Sequence, residues 1–180
     1  MQQSRHTPSL TKKKFIEGSA GGHVPPLYAE IPYSSPAELY PLFSGKNSFL
    51  FESVKGTEKI ARYSFIGFDP YIALRAKDRN IEIDIDGNKS LSSQKPLVKL
   101  SEILSGYKQQ HQPLLPLFQG GAAGLLSYDF VHYLERLPRT TRDDLRISDA
   151  HFFIIDRLIS FDHKHKKAWA IVCPGLRNAT

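Results

Sequence analysis

Hydrophobic and polar positions alternate most strictly at Ile81-Glu-Ile-Asp-Ile-Asp, where Ile81, Ile83 and Ile85 share one side and the carboxylates the other. That period of two predicts a strand with one buried face, and Asp86-Gly87 after it is a hairpin turn signal. Other strands follow from compact apolar runs. Ser48 to Val54 is one, with Glu52 and Ser53 at its end, and Lys55 to Glu58 reads as a turn. Arg62 to Gly67 is the next, closed by Asp69-Pro70, and Tyr71 to Ala76 is a third. His151 to Ser160 and Ala168 to Val172 read as the two arms of a final hairpin, with Asp162 to Lys167 turning between them.

Helical signals are interspersed. A short helix is expected over Lys12 to Glu17, ended by Gly18 to Gly22. Pro25 and Pro26 keep Val24 to Ile31 extended. Ser35-Pro36-Ala37-Glu38 has a capping serine, a proline in the first turn and a glutamate able to close a capping box, so a helix should run to about Phe43 and stop at Gly45. Pro96 to Gln110 predicts an amphipathic helix, its stripe made by Leu97, Leu100, Ile103, Leu104 and Tyr107. Tyr128 to Leu137 predicts another, with Val131, Leu134 and Leu137 inward and Pro138 as its stop. Interspersed helices and hairpins imply an α+β fold, a mostly antiparallel sheet with flanking helices. Residues 1–14 read as a flexible arm and 15–180 as one domain.

Composition narrows the function classes. The 180 residues carry ordinary globular proportions of apolar and charged side chains, enough for a core. The lone Cys173 precludes an internal disulfide or a cysteine-based zinc site and fits a reducing cytoplasm. No run approaches the ~20 apolar residues of a membrane span, and Met1 to Ser9 lacks the apolar core of a signal peptide. A soluble, cytoplasmic protein is expected, with no membrane partner. The net charge of +6 invites a nucleic-acid reading. The excess falls in short clusters, Lys12 to Lys14 and Lys164, Lys166 and Lys167, which read as solvated surface, so no nucleic-acid partner is expected.

Most of the candidate chemistry has a plainer reading. Gly120 to Gly124 lacks the Lys-Ser/Thr of a phosphate loop and the spacing of a dinucleotide loop, so close backbone packing is the better account. His163 and His165 lack a third ligand and sit among lysines. Asp129 and His132, near Tyr128 and Glu135, read as a polar helix face. No catalytic residue and no metal ligand is assigned in this chain. Glu52, Ser53 and Arg62 differ. If their strands pair, an acid, a hydroxyl and a guanidinium converge, a set suited to a zwitterion: the first two can hold an ammonium and the third a carboxylate. A surface ion pair beside a turn is the alternative.

On these residues a resemblance rests. Phe49-Leu-Phe-Glu-Ser-Val, followed by Arg62-Tyr-Ser-Phe-Ile-Gly-Phe-Asp-Pro, resembles the anthranilate synthase component I family of chorismate-utilising enzymes. Val24-Pro-Pro-Leu-Tyr-Ala-Glu-Ile-Pro upstream and Pro116 to Val131, Glu135 to Pro138 and Asp149 to Ile159 downstream are similar to it as well. The resemblance implies the N-terminal, tryptophan-binding part of an αββα layered fold. It further implies an enzyme that makes anthranilate and pyruvate from chorismate and glutamine-derived ammonia, opening tryptophan biosynthesis under feedback by L-tryptophan. A glutamine amidotransferase subunit is the implied partner, in a heterotetramer. Magnesium and chorismate are implied to bind a C-terminal domain that this chain does not contain. Ser53 matches the family's inhibitor-binding serine; Phe51 and Glu52 are expected to line the same pocket, and Arg62 is the match for a further basic residue. Aminodeoxychorismate synthase component I of the folate pathway shares the architecture and is the alternative. A free-standing amino-acid-binding module is another; isochorismate-type synthases are more remote.

Overall fold

The computed structural model describes residues 18–19, 22–45, 47–52, 61–138 and 142–176. The expected arm, the helix over Lys12 to Glu17 and the turn over Lys55 to Glu58 lie outside these. Ten strands are present: β1 (Leu27–Ile31), β2 (Ser48–Phe51), β3 (Tyr63–Phe68), β4 (Ile72–Lys77), β5 (Asn80–Ile85), β6 (Asn88–Ser92), β7 (Gly121–Leu126), β8 (Ala150–Ile155), β9 (Arg157–Asp162) and β10 (Lys167–Val172). Among the described residues they are accompanied by the short α-helices α1 (Pro36–Leu39) and α2 (Pro96–Ser105). The strands form two five-stranded sheets, ordered β1-β10-β9-β3-β2 and β6-β5-β4-β8-β7. The α+β expectation holds, but the chain contacts divide into two compact units rather than one. One unit holds residues up to Pro70, with Gly106–Gly121 and 155 onward. The other holds Tyr71–Ser105 and Ala122–Ile154.

In the first unit every strand pair is antiparallel. One face packs Ile66, Ile159, Phe161 and Ala168 against Leu39, Tyr40 and Phe43, so the α1 segment is the lid of this core. Ser35 stands at the N-cap, but its side chain makes no capping bond; its carbonyl instead accepts the Glu38 and Leu39 N–H groups. The capping box is therefore not formed, and the helix tightens into a 3₁₀ turn, Tyr40–Leu42, before Phe43. Directly opposite residues lie on one face, so the other face carries Phe49 and Phe51 of β2, Tyr63 and Phe65 of β3, Ser160 and Asp162 of β9, and Trp169 of β10. The Phe49 ring lies over Gly67, where a Cβ would meet it.

In the second unit Ile81 and Ile83 point into the core as their alternation predicts. Asp86 and Gly87 both take positive φ, 48° and 90°, the backbone of a two-residue hairpin that opens the unpredicted β6. Three expectations fail here. The Pro96 helix ends at Ser105, and only Leu100 of its stripe is buried; Leu97 is exposed. The Tyr128 segment is a 3₁₀ helix, Tyr128–Tyr133, whose buried residue is Phe130, while Leu134 and Leu137 are exposed. The run His151 to Ser160 is two strands, broken at Asp156, which join different sheets. In these segments the backbone takes a different period or extent from the one the apolar pattern implies, which leaves Leu97, Leu134 and Leu137 exposed. Among the described residues, no helix is long and apolar enough to cross a membrane.

Gly124 explains the glycine-rich run. A Cβ there would collide with the backbone of His151 and Phe152 on the adjacent β8. Backbone cannot move aside as a side-chain tip can. Gly124→Ala is expected to lower stability by about 1–3 kcal/mol through overpacking, read as a fall in the denaturant midpoint; an unchanged midpoint would contradict the close approach.

Candidate functional site

Of the predicted residues, Phe51, Glu52 and Arg62 lie at one end of the paired strands β2 and β3. Phe51 is the last residue of β2 and pairs with Phe65. Its ring lies 4.4 Å from that of Phe49, centroid to centroid, and is about half exposed at 47%. Glu52 follows it outside the strand and is exposed. Ser53 lies outside the described residues. Arg62 immediately precedes β3, with its guanidinium 4.8 Å from the centroid of the Tyr63 ring. Pairing thus brings Phe51 opposite Phe65, three residues from Arg62.

A loop adds a further ring. Phe118 meets Phe65 edge-on, with centroids 5.4 Å apart. Its neighbour Gln119 is buried and ties the loop together: Nε2 donates to the carbonyls of Gln112 (2.8 Å) and Pro116 (3.1 Å), and Oε1 accepts the Gln112 N–H (2.9 Å). The Cys173 thiol donates to the Gln119 carbonyl at 2.6 Å. Burial pushes the pKa of that thiol up to about 12, with the Asp156 charge adding to it, so Cys173 is an inert anchor. The result is a row of aromatic rings beside one cation.

Sequence reasoning did not find the carboxylate that meets Arg62. Nε and Nη2 of Arg62 both donate to Asp162 Oδ2, at 3.1 and 2.7 Å. Asp162 is buried, while the Arg62 side chain keeps 32% of its surface. Oδ1 of Asp162 accepts the backbone N–H groups of Lys164 (3.0 Å) and His165 (3.1 Å), and His165 Nδ1 donates to Oδ2 at 2.9 Å. Burial alone would raise the carboxyl's pKa. The hydrogen bonds from Arg62 and His165 outweigh it and hold the group well below the usual carboxylate range. Only the local half of this arrangement, an aspartate opening a turn, had a sequence signal.

His163 is the second unforeseen element. Its Nδ1 lies 2.8 Å from the Tyr33 hydroxyl and its Nε2 2.6 Å from the hydroxyl of Ser64, which is fully buried. In each pair either atom can be the donor, according to the tautomer. The His163 N–H also donates to the Arg62 carbonyl at 2.9 Å. The turn expected to be mere solvated surface therefore grips residues 62–64 through both backbone and side chains. Its lysines do face outward: Lys167 meets Glu30 at 3.2 Å, and Lys166 lies over the Tyr33 ring.

The second unit has a concave surface of about 1150 Å³ that includes Lys77, Tyr128, His132 and Arg146. Lys77 is held by Asp143 and Asp149, which raise its pKa against the opposing effect of burial. Asp149 also accepts the Asp78 N–H (3.1 Å) and the Tyr133 hydroxyl (3.0 Å). These contacts bind the 142–149 segment to the β4–β5 turn. Among the described residues, no group of three or more His, Cys, Asp or Glu side chains is arranged for a metal ion.

Comparison with known proteins gives consistent matches. The chain is 33% identical over 148 residues to anthranilate synthase component 1 of Acetivibrio thermocellus, covering 81% of this chain and 30% of that protein. It is 32% identical over 180 residues to the protein of the same name from Pseudomonas aeruginosa, covering 94% and 37%. Aminodeoxychorismate synthase component 1 of Bacillus subtilis is 31% identical over 128 residues, covering 71% and 26%. The crystal structure of anthranilate synthase component I from Streptococcus pneumoniae TIGR4 superposes with a TM-score of 0.53 at 28% identity, covering 77% of this chain and 29% of that one. No family model matches. The chain spans about a third of the length of these two anthranilate synthase relatives.

Two outcomes follow from the geometry. His163→Leu strands the buried Ser64 hydroxyl and is expected to cost about 1–3 kcal/mol of stability; adding Ser64→Ala should recover part of it, as a double-mutant cycle by denaturant unfolding will register. Asp162 has a folded-state pKa below its unfolded value. Its stabilisation is therefore complete above the unfolded pKa, near 4, and lost as pH falls through and below it. Thermal unfolding between pH 7 and pH 3 should then fall less steeply in Asp162→Asn than in wild type.

Proposed function

Because this chain is a family relative of anthranilate synthase component 1 over most of its length, we propose that it is the tryptophan-sensing portion of a protein that converts chorismate to anthranilate and pyruvate. The ammonia comes from glutamine through an amidotransferase partner. Chorismate and magnesium are held by the longer protein's remaining portion, and the residues described here serve regulation rather than chemistry. The protein works in the cytoplasm, at the entry to tryptophan biosynthesis.

The observation that carries the regulatory reading is the aromatic row beside Arg62. Phe51, Phe65 and Phe118 offer faces and edges to an indole, whose burial against aromatic side chains is favourable. The Arg62 fork suits a carboxylate. Glu52 is exposed at the strand end and supplies the negative charge for an ammonium, with the Ser53 hydroxyl next in sequence. A ligand with a large ring and a zwitterionic tail answers all of these groups together, which describes an aromatic amino acid better than chorismate, which has no ammonium.

A second reading, aminodeoxychorismate synthase component 1, is supported by the Bacillus subtilis relative. Product identity separates the two: the first reading requires anthranilate, detected by its fluorescence, and the second requires aminodeoxychorismate.

Titration calorimetry of this chain with L-tryptophan is expected to give saturable one-to-one binding, weaker for tryptamine, which lacks the carboxylate. In the protein that carries this chain, Ser53→Phe is expected to relieve inhibition by L-tryptophan while leaving the uninhibited rate largely intact. Undiminished inhibition in that variant would overturn the role of Ser53, and absence of binding at millimolar ligand would overturn the sensor reading.

A further inference from the structure

We infer that Asp162 is the positioning residue of the effector site: a buried carboxylate at the start of the β9–β10 turn that aims the Arg62 guanidinium and so sets how tightly a carboxylate-bearing ligand is held. The inference rests on the amino-acid-sensing reading above but adds a residue that belongs to neither the Glu-Ser nor the Arg-Tyr-Ser motif.

Arginine has four side-chain torsions, and an unrestrained guanidinium loses that freedom when it captures a ligand. Here the loss has already occurred on folding. Nε and Nη2 are both committed to one oxygen of Asp162, and the plane lies over the Tyr63 ring. The backbone carbonyl of Arg62 is bonded to the His163 N–H. Asp162 is fixed in turn by Lys164, His165 and the β9 backbone. Apart from the Tyr63 ring, these supports come from the β9–β10 hairpin, 100 residues along the chain, and 32% of the Arg62 side chain still faces outward. A pre-oriented fork costs less to engage than a mobile one.

The discriminating substitution is Asp162→Asn. Asparagine keeps an oxygen for the Lys164 and His165 N–H groups, so the turn retains its local bonds, but it presents an amide N–H₂ or a neutral oxygen to Arg62. We expect Asp162→Asn to weaken L-tryptophan binding about tenfold, the scale of one charged hydrogen bond. Arg62→Ala should weaken it at least as much. If Asp162 acts through Arg62, adding Asp162→Asn to Arg62→Ala leaves the Kd unchanged. A role in structure alone gives losses that multiply in the double variant, and that outcome overturns the proposal, as does an unaltered Kd in Asp162→Asn. A ligand-free measurement keeps the orienting role testable by itself. The Arg62 Nε–H proton should exchange slowly with water in the wild-type NMR spectrum and fast in Asp162→Asn; fast exchange in wild type overturns the positioning. Failure of wild type to bind L-tryptophan would instead overturn the sensing reading, with the exchange experiment still deciding whether Asp162 orients Arg62.

Discussion

Strand β9 is bonded on both edges and buried on both faces from Leu158 to Asp162, and the first unit is organised around that constraint. A strand with no wet face must find an apolar neighbour for each alkyl group and a partner for each polar one. Ile159 and Phe161 meet the lid formed by the α1 segment. Leu158 and Ser160 turn towards the aromatic face, where the Ser160 hydroxyl is buried without a hydrogen-bond partner among the described residues. Asp162, at the strand end, brings a charge into this setting. Desolvation of a carboxylate is costly, and a guanidinium with several N–H groups is what compensates it.

That compensation links stability to recognition. Had the partner of Asp162 been a lysine, the charge would be balanced but no planar, oriented fork would stand beside Phe51 and Phe65. The aromatic face depends on the same pairing. β2 reaches the sheet only through β3, and β3 is held to β9 along five consecutive positions, Tyr63 to Gly67. Rings and cation are consequently carried by one continuous hydrogen-bonded ladder rather than by independent loops. The exception is Phe118, whose loop is fixed by the hydrogen bonds of Gln119 and the buried thiol of Cys173.

The second unit solves a comparable problem by different means. The β4–β5 turn is Asp78-Arg79, and both residues have positive φ, 49° and 68°. Arginine gains nothing from that conformation, and no glycine or asparagine is present to ease it. The exposed amides of the turn are instead received by Asp149 and by the Tyr133 hydroxyl. Tertiary contacts thus make a hairpin from residues that carry weak hairpin chemistry. The strained turn and the Lys77 ion network belong to the same small region, which accounts for its concentration of charge without invoking catalysis.

Elements whose cause is local were legible in the sequence by itself. The alternation at Ile81 to Ile85, the Asp86-Gly87 turn, the extended segment after the prolines, the close packing at Gly124 and the α+β class all follow from residue shape and period two. What the sequence could not determine depended on partners far along the chain. The run His151 to Ser160 is interrupted by Asp156-Arg157 alone, and nothing in the sequence marks that polar pair as the point where the chain leaves one sheet for the other. Leu134 and Leu137 fit a helical stripe, yet a 3₁₀ turn exposes them. The pairing of Arg62 with Asp162, and of His163 with Tyr33 and Ser64, spans 99 to 130 residues. The register of β3 against β9 brings Arg62 to Asp162 and Ser64 to His163, and that of β1 against β10 leads the chain to Tyr33; hydrogen bonds and ion pairs act over a few ångströms, whereas sequence patterns report only what neighbours along the chain will do.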